Sequence, residues 1–233
     1  MRNKVNLIIT FCILGLMVSM QSHAQTYEIG AFVGGANYIG DVGNTQFIAP
    51  AGPTFGGIAK WNRSNRHAFR LTYLVGQIIA NDLDSKDTRR LQRGYSFENT
   101  LSEVSLGIEY TFWEFDLHEG APAFAPYMYT GFTYTWYDAL RKTGTLFDPV
   151  GRETTYAIPM VLGLKKTLGT KFLVGLEVGA RYSFTDALDG SANVGNSEVN
   201  NVPFGDTTNN DWYVFTGVTF TYAFGRKPCY CNF

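Results

Sequence analysis

The chain has 233 residues, of which 45% are hydrophobic, 15% are aromatic and only 17% are charged. Soluble domains carry about 25% charged residues, so this composition argues against a charge-coated cytosolic protein. The 25 glycines, 14 tyrosines and 18 phenylalanines favour packed strands, because glycine costs about 1 kcal/mol in a helix. The net charge of −1 lacks the basic excess of a nucleic-acid-binding protein, which excludes nucleic acid as a partner.

The first residues have the pattern of a secretory signal peptide. Arg2 and Lys4 precede an apolar stretch from Val5 to Val18, and Ser22-His23-Ala24 supplies small residues at the positions that a signal peptidase reads. The stretch is shorter than the roughly 20 apolar residues of a membrane-spanning helix. We expect cleavage after Ala24, which removes two of the 19 basic residues, leaves 17 against 20 acidic ones, and gives the mature chain a charge of −3.

Eight segments alternate between apolar and less apolar residues with a period of two, which is typical of half-buried strands. From Phe172 to Phe184 the even positions are apolar and the odd ones include glycine, serine, glutamate and arginine. The eight segments are Tyr27–Tyr38, Pro53–Trp61, Arg66–Ile78, Leu101–Trp113, Ala125–Leu140, Tyr156–Leu168, Phe172–Phe184 and Trp212–Phe224. They predict an all-β fold, an eight-stranded antiparallel up-and-down transmembrane β-barrel of the OmpA/OmpX type.

Short and long connections alternate along the chain. The predicted turns at Asn62–Asn65 and Gly169-Thr170 are tight, whereas the other connections are long: 39–52, 79–100, 141–155 and 185–210. Outer-membrane barrels have short periplasmic turns and longer outer loops. We therefore expect an integral outer-membrane protein with both termini in the periplasm, in which residues 1–24 are the signal peptide, 25–225 the barrel and 226–233 a periplasmic tail.

The main structural alternative is a soluble lipocalin-like barrel, whose apolar face points inward. The less apolar face here consists mostly of Gly, Thr, Ser, Ala and Tyr, which is unlike a water-facing exterior rich in Lys and Glu. This face is therefore predicted to line the interior. It carries four acidic and four basic residues: Glu28, Lys60, Arg70, Glu103, Glu109, Lys165, Glu177 and Arg181. Because eight strands enclose only enough space for side chains, we expect paired charges and no channel.

The sequence contains no pattern that predicts catalysis, a cofactor, a metal or a small-molecule substrate. Its only histidines after the signal peptide are His67, beside the first tight turn, and His118, in the long turn 116–124, and neither has a candidate nucleophile. The Asp82–Asp87 stretch lacks the glycine and terminal glutamate of a calcium loop and is interpreted as a mixed, solvated loop. The Asn-rich stretch Ser191–Asn210 favours a flexible outer loop over a divalent-ion loop.

Two segments on the predicted periplasmic side are longer than a minimal eight-stranded barrel requires. They are the long turn Asp116–Phe124 and the tail after Gly225. The tail contains a Cys-x-Cys pair with three open interpretations: a local disulfide, half of a metal site, or a covalent link to a partner. A purely structural tail remains the default. The residues that we expect to contact a partner are Asp116, His118, Glu119, Arg226, Lys227, Cys229 and Cys231.

The chain resembles the PorG family, the outer-membrane barrels of the Bacteroidetes type IX secretion system, over essentially its whole mature length. The matching segments include Tyr27–Gly30, Ser96–Leu101, Ile158–Met160, Gly175–Arg181 and Tyr222–Gly225. One departure lies in Ala187–Gly190, where the family pattern has an aromatic residue first and a second acidic residue last. This departure argues against an ion-binding or loop-closing role there.

The resemblance implies a non-enzymatic part of a protein-export and gliding machine. Such a barrel lies in the lipid bilayer of the outer membrane and contacts a periplasmic ring lipoprotein and its partner protein. Two alternatives stay open: a free-standing surface barrel acting as an adhesin or envelope-integrity protein, and a lipid-modifying barrel enzyme. The first predicts dispensable periplasmic ends, and the second predicts a polar triad at the outer rim.

Overall fold

The computed structural model describes residues 26–116, 123–192, 203–206 and 209–225. These residues form eight strands and two short helical segments. The strands are β1 (Thr26–Ile39), β2 (Gly52–Asn62), β3 (His67–Asn81), β4 (Ser96–Thr111), β5 (Phe124–Thr143), β6 (Leu146–Leu168), β7 (Phe172–Ser183) and β8 (Trp212–Gly225). A 3-10 helix (Asp82–Asp84) and an α-helix, α1 (Thr88–Arg93), lie between β3 and β4. No helix in these ranges is long and apolar enough to cross a membrane.

The strands close into a barrel in which each strand pairs with its sequence neighbours and β1 pairs with β8. All of these neighbouring pairs are antiparallel. The predicted fold class is therefore confirmed. We call the end that carries the first residue of β1 and the last of β8 the turn end, and the opposite end the loop end.

The burial pattern separates the two faces of every strand. Even-numbered residues point inward in β1, β2 and β3, and odd-numbered residues point inward in the other five strands. Successive side chains of a strand point to opposite faces, so the parity holds along most of each strand and is interrupted at Ala139 and Leu140 of β5, which are both buried.

The connection predicted at 141–155 is wrong, because the ladder between β5 and β6 continues through it. The pairing runs from Thr143↔Leu146 to Asp138↔Arg152 and beyond, interrupted only by a bulge at Ala139/Leu140. A tight turn containing Gly144, whose φ is +69°, joins the two strands. The bulge, Pro149 and Gly151 break the period-two pattern, so the alternation in the sequence ends before the strands do.

The barrel interior is layered along its axis. The turn end contains a small apolar cluster: Phe115, Ala125, Leu173 and Ala223, with Ala123 packed against it. The loop-end half is filled by a larger apolar cluster, which we call the plug and which includes Phe32, Ile58, Leu74, Ile78, Leu101, Tyr213 and Phe215. Charged side chains occupy the space between. The sequence had suggested a polar interior throughout, so the plug is a finding of the structure.

Candidate functional site

The turn-end half of the interior holds a continuous network of buried charges centred on Glu109. Lys60 Nζ lies 2.7 Å from Glu109 Oε2, and Lys165 Nζ lies 2.9 Å from Glu109 Oε1. Arg70 Nη1 is 3.5 Å from Glu109 Oε2. Glu28 joins the network through Lys60 at 4.0 Å. Each base thus reaches at least one acid, so the charge is balanced locally.

Arg70 also forms a two-pronged pair with Glu177, on the opposite side of the interior. Its Nη1 and Nη2 atoms donate to Glu177 Oε1 and Oε2 at 2.6 and 3.0 Å. The Tyr127 hydroxyl donates to the same carboxylate, and the Arg70 guanidinium lies 4.8 Å from the Tyr129 ring centroid. Bidentate arginine–carboxylate pairs fix geometry as well as charge, so these side chains cross-brace strands β3, β5 and β7.

A second charged group lies between this network and the plug. Arg181 donates through Nε and Nη2 to Glu103 Oε1 at 3.2 and 3.0 Å, and Tyr213 donates to Glu103 Oε2 at 2.8 Å. The guanidinium also lies 4.5 Å from the Phe215 ring centroid, which belongs to the plug. Arg181 therefore joins the charged layer to the apolar layer.

The structure places all eight predicted interior charges inside the barrel, each less than a tenth exposed. What the sequence analysis missed is the set of tyrosines that complete their hydrogen bonds. Tyr127, Tyr129 and Tyr213 all occupy odd positions in strands whose odd positions point inward. The strand parity and the tyrosines of the less apolar face therefore contained the signal, but the sequence does not show which charged residue each tyrosine bonds.

The outside of the barrel is the apolar face. Leu162 and Val33 are each 65% exposed, and Leu106 is 61% exposed. Within the described strands, no Asp, Glu, Lys or Arg occupies an outward position of β1, β2, β7 or β8. Soluble proteins rarely expose so large a continuous apolar surface. A barrel with this exterior fits the hydrocarbon core of a bilayer, where every backbone polar group must be paired within the protein.

Two rings of aromatic side chains border this apolar outer surface, and we call the surface between the rings the apolar belt. At the turn end, Tyr27 stacks on Phe224 and Trp61 contacts Phe69, with centroid distances of 6.0 and 5.3 Å. Nearer the loop end, aromatic pairs include Tyr182–Trp212 at 5.0 Å and Tyr134–Trp136 at 4.8 Å.

The spacing of the two rings matches a membrane. In β7, Phe172 contacts Tyr222 at the turn-end ring, and Tyr182 belongs to the other ring. The ten residue steps between them cover about 33 Å of strand at about 3.3 Å per residue. At a strand tilt of about 40° this corresponds to a depth of about 25 Å, the height of the apolar band in outer-membrane barrels.

The loop end is tied together by Asp82 and two arginines of α1. Asp82 accepts hydrogen bonds from the backbone N–H groups of Gly43 and Tyr95, at 2.9 and 3.0 Å, and pairs with Arg93 at 2.8 Å. Arg90 donates to the Gly40 and Gly43 carbonyls at 2.9 and 2.7 Å. The interpretation of this stretch as a solvated loop is therefore wrong at Asp82, which is fully buried.

The segment after β7 is seated against the other loops by buried polar groups. Asn99 of β4 donates to the carbonyls of Leu188 and Asp138 at 2.7 and 2.9 Å. Asp211 accepts from the Leu188 N–H at 3.0 Å and from the Tyr38 hydroxyl. Leu188 itself is fully buried in the plug. We call residues 184–192, together with Asp211, the cap.

The cap contains three carboxyl groups that form no salt bridge within the described ranges, those of Asp186, Asp189 and Asp211. Burial, together with the neighbouring charge of Asp189, raises the pKa of Asp186 to about 7. Burial also raises the pKa of Asp189, and burial and the charge of Asp189 raise the pKa of Asp211. In the described ranges, no three His, Cys, Asp or Glu side chains are grouped as ligands of a metal ion.

The predicted partner contacts are only partly visible. Asp116 follows the end of β4 at the turn end, where Phe115 donates its N–H to the Asn65 carbonyl at 3.1 Å. His67 is exposed, in the same region, with Nδ1 3.2 Å from the Ser64 hydroxyl. His118, Glu119 and the tail residues Arg226, Lys227, Cys229 and Cys231 lie outside the described residues.

The chain matches a protein family over residues 6–233, and that family is described as "Domain of unknown function (DUF6089)". The chain belongs to this family. Among the curated proteins, none matches it in sequence. The expected membership of the PorG family is thus not established by these comparisons.

Solved structures of outer-membrane proteins resemble the chain over 87% of its length. The N-terminal β-barrel domain of Pseudomonas aeruginosa OprF shares 15% identity, is covered completely and gives a TM-score of 0.46. Ail, the attachment invasion locus protein of Yersinia pestis, shares 8% identity, is covered completely and gives 0.44. Neisserial surface protein A shares 11% identity, is covered to 96% and gives 0.45.

Proposed function

We propose that this protein is a non-enzymatic, integral outer-membrane barrel that anchors the periplasmic ring of the type IX secretion and gliding machinery. The bilayer surrounds the apolar belt, and the turn end with both termini faces the periplasm. The partners are the ring lipoprotein and its associated protein, which dock on the long turn 116–124 and the tail 226–233. The ring assignment rests on the resemblance of the sequence to the PorG family.

The membrane location rests on one observation: polar and apolar side chains are distributed in the reverse of the arrangement in a soluble barrel. Apolar side chains cover the exterior between two aromatic rings, and charged side chains are paired inside. A soluble barrel would expose the charged face instead. Burying eight charges is tolerable because each has an oppositely charged partner. Five of them, Glu28, Arg70, Glu103, Glu177 and Arg181, also form hydrogen bonds outside their ion pairs.

The same interior supports an anchoring role over transport of solutes. The charged layer lies between the turn-end apolar cluster and the plug, both of which consist of buried side chains. A water-filled path would have to pass through the plug and break the pairs of Glu109 and Glu177. A closed barrel of this kind serves as an anchor in the membrane, and its function resides at its two ends.

Co-purification from native membranes tests the anchoring proposal. The tagged full-length protein is extracted with mild detergent, and the proteins that elute with it are identified by mass spectrometry. We expect ring lipoproteins with the wild type and their loss when residues 226–233 are deleted. The Cys229→Ser, Cys231→Ser variant shows whether the thiols themselves are needed. A barrel that elutes alone would contradict the proposal, provided that heat-modifiable migration shows it to be folded.

A free-standing surface protein is the second candidate, because the loop end is built as a rigid platform. The β5–β6 hairpin extends to Thr143 and Leu146 without a disordered connection, and α1 is clamped to the β1–β2 loop by Arg90 and Arg93. This candidate predicts normal surface function after removal of the tail. Binding of intact cells to host surfaces or matrix proteins, with and without residues 226–233, distinguishes it from the anchoring role.

A further inference from the structure

The cap places buried carboxyl groups next to one another, and no base among the described residues forms a salt bridge with them. Asp189 is fully buried, its Oδ1 accepts the Ser191 N–H at 2.8 Å, and its Oδ2 is buried without a hydrogen-bond partner. Asp186 Oδ2 is likewise buried and without a donor. A buried carboxylate oxygen without a donor or cation is costly, whereas a protonated carboxyl group is not charged.

The groups around these carboxyls are acidic or neutral. Tyr38 of β1 lies beside Asp211 and Asp189, and Tyr137 of β5 faces Asp211. From the loops, Asp41 and Asp206 add further negative charge near Asp186.

The nearest arginines are already engaged elsewhere. Arg93 pairs with Asp82, and Arg90 is bound to two backbone carbonyls. They lie near Asp41, whose carboxyl group accepts the Asp206 N–H at 3.0 Å. Within the described part of the chain, the acids of the cap therefore lack a compensating base.

We propose that the cap is a proton-operated closure of the loop end, seated while Asp186, Asp189 and Asp211 hold protons and released when they ionise. Ionisation puts like charges beside one another in a buried site, and the segment relieves this repulsion by moving into water. Because Leu188 belongs to both the cap and the plug, release uncovers the loop-end side of the plug. The barrel strands below are unaffected.

The direction of the pH dependence follows from the raised pKa values. Asp186, with its pKa of about 7, holds its proton in the seated cap at pH values where it is ionised in the released one. The seated cap then binds more protons than the released cap, so the stability of the cap falls as the pH rises from about 4 through about 7. The raised pKa values of Asp189 and Asp211 act in the same direction.

Backbone hydrogen exchange reports on this motion directly, because two cap amides donate to the carboxyl groups concerned. The Leu188 N–H is bonded to Asp211 and the Ser191 N–H to Asp189. Exchange of the full-length protein in mild detergent is followed by mass spectrometry at about pH 5 and pH 8, with correction for the intrinsic exchange rate. We expect protection of the cap amides to fall at least about tenfold, which is the effect of one pKa unit on an equilibrium. Protection of β7 should not change.

The Asp189→Asn variant separates protonation from a structural role. An amide at this position keeps the oxygen that accepts the Ser191 N–H and cannot ionise. We expect the tenfold fall in cap protection to shrink to about threefold or less, since Asp186 also loses its principal charged neighbour. Asp84→Asn, at an exposed acid of the same end, should retain the full fall. Heat-modifiable migration confirms that both variants fold.

Three outcomes would overturn the proposal. The first is equal cap protection at the two pH values. The second is a fall in cap protection in Asp189→Asn as large as in the wild type. The third concerns calcium: wild-type samples at about pH 8 are compared in millimolar CaCl2 and in EDTA. Restoration of protection by calcium would show that a metal ion rather than a proton neutralises these acids. Equal protection in calcium and EDTA is the result that we expect.

Discussion

Arg70 and Glu177 face each other across the barrel interior, joined by two hydrogen bonds of 2.6 and 3.0 Å and almost completely buried. The pair connects β3 to β7, strands that are not neighbours in the barrel. A buried arginine without its partner retains a charge that the interior cannot solvate.

Replacing Glu177 with Ala should therefore destabilise the barrel by about 3–5 kcal/mol, because it removes the two-pronged partner of Arg70 and leaves the buried guanidinium only the 3.5 Å contact with Glu109. The measurement is urea unfolding in detergent or lipid, followed by heat-modifiable migration. Glu98→Ala, at an exposed glutamate of β4, serves as the control and should change stability by less than about 0.5 kcal/mol. A similar effect of both variants would show that the interior pair is not required for the fold.

A charged residue on the outside of the apolar belt should destabilise the barrel, and the loss of stability should be largest near the bilayer midplane. Leu162→Arg, at the outward position of β6 that pairs with Val178 midway along β7, should destabilise the membrane-inserted barrel by about 2–4 kcal/mol. Leu83→Arg is a matched control, because Leu83 is 64% exposed against 65% for Leu162 but lies in the 3-10 helix at the loop end. Unfolding from lipid vesicles measures both. Equal costs would contradict a bilayer around the belt.

The plug and the paired interior charges predict that the barrel does not conduct ions. In planar lipid bilayers the wild type should show no steady conductance, with a porin of larger bore as the positive control. Long-lived open states of the purified, folded protein would mean that the plug or the turn-end cluster moves aside. Such a result would contradict the anchoring role, which we inferred from the filled interior of the barrel.

Two glycines with similar backbone angles test the packing of the cap. Gly190 and Gly144 have φ values of +75° and +69°, a left-handed conformation in which a side chain costs about 1–2 kcal/mol. A Cβ at Gly144 meets nothing within 4 Å, whereas one at Gly190 lies 2.9 Å from Phe147 Cδ1. Gly190→Ala should therefore cost about 1–3 kcal/mol more than Gly144→Ala. Thermal unfolding compares them, and equal costs would show that the cap does not rest on the β5–β6 hairpin.

The sequence predicted the strands and their faces well, because a half-buried strand repeats every two residues. The parity of Glu28, Lys60 and Glu177 followed from that repeat alone. The sequence could not predict the full length of β5 and β6, since the hairpin above the belt has no single apolar face. The expected periplasmic contacts at 117–122 and 226–233 remain predictions.

Buried polar residues outside the strands were the least predictable part. Asp82 and Arg93 are eleven positions apart in a polar stretch, and only the fold brings them together with Gly43. Gly190 was noted as a departure from the PorG pattern. Its positive φ, and the position of Phe147 only 2.9 Å from where a Cβ would lie, give it a structural reason that no local sequence pattern contains.

The central claim is that the turn end faces the periplasm and holds the secretion ring, and crosslinking in intact cells tests it most directly. A photo-reactive residue is placed at Arg63 of the turn end in one variant and at Lys86 of the loop end in another, both at exposed positions. After irradiation the barrel is purified under denaturing conditions, and the captured proteins are identified by mass spectrometry. The account predicts ring proteins crosslinked from Arg63 and none from Lys86. Capture from Lys86 alone, or from neither position, would contradict it.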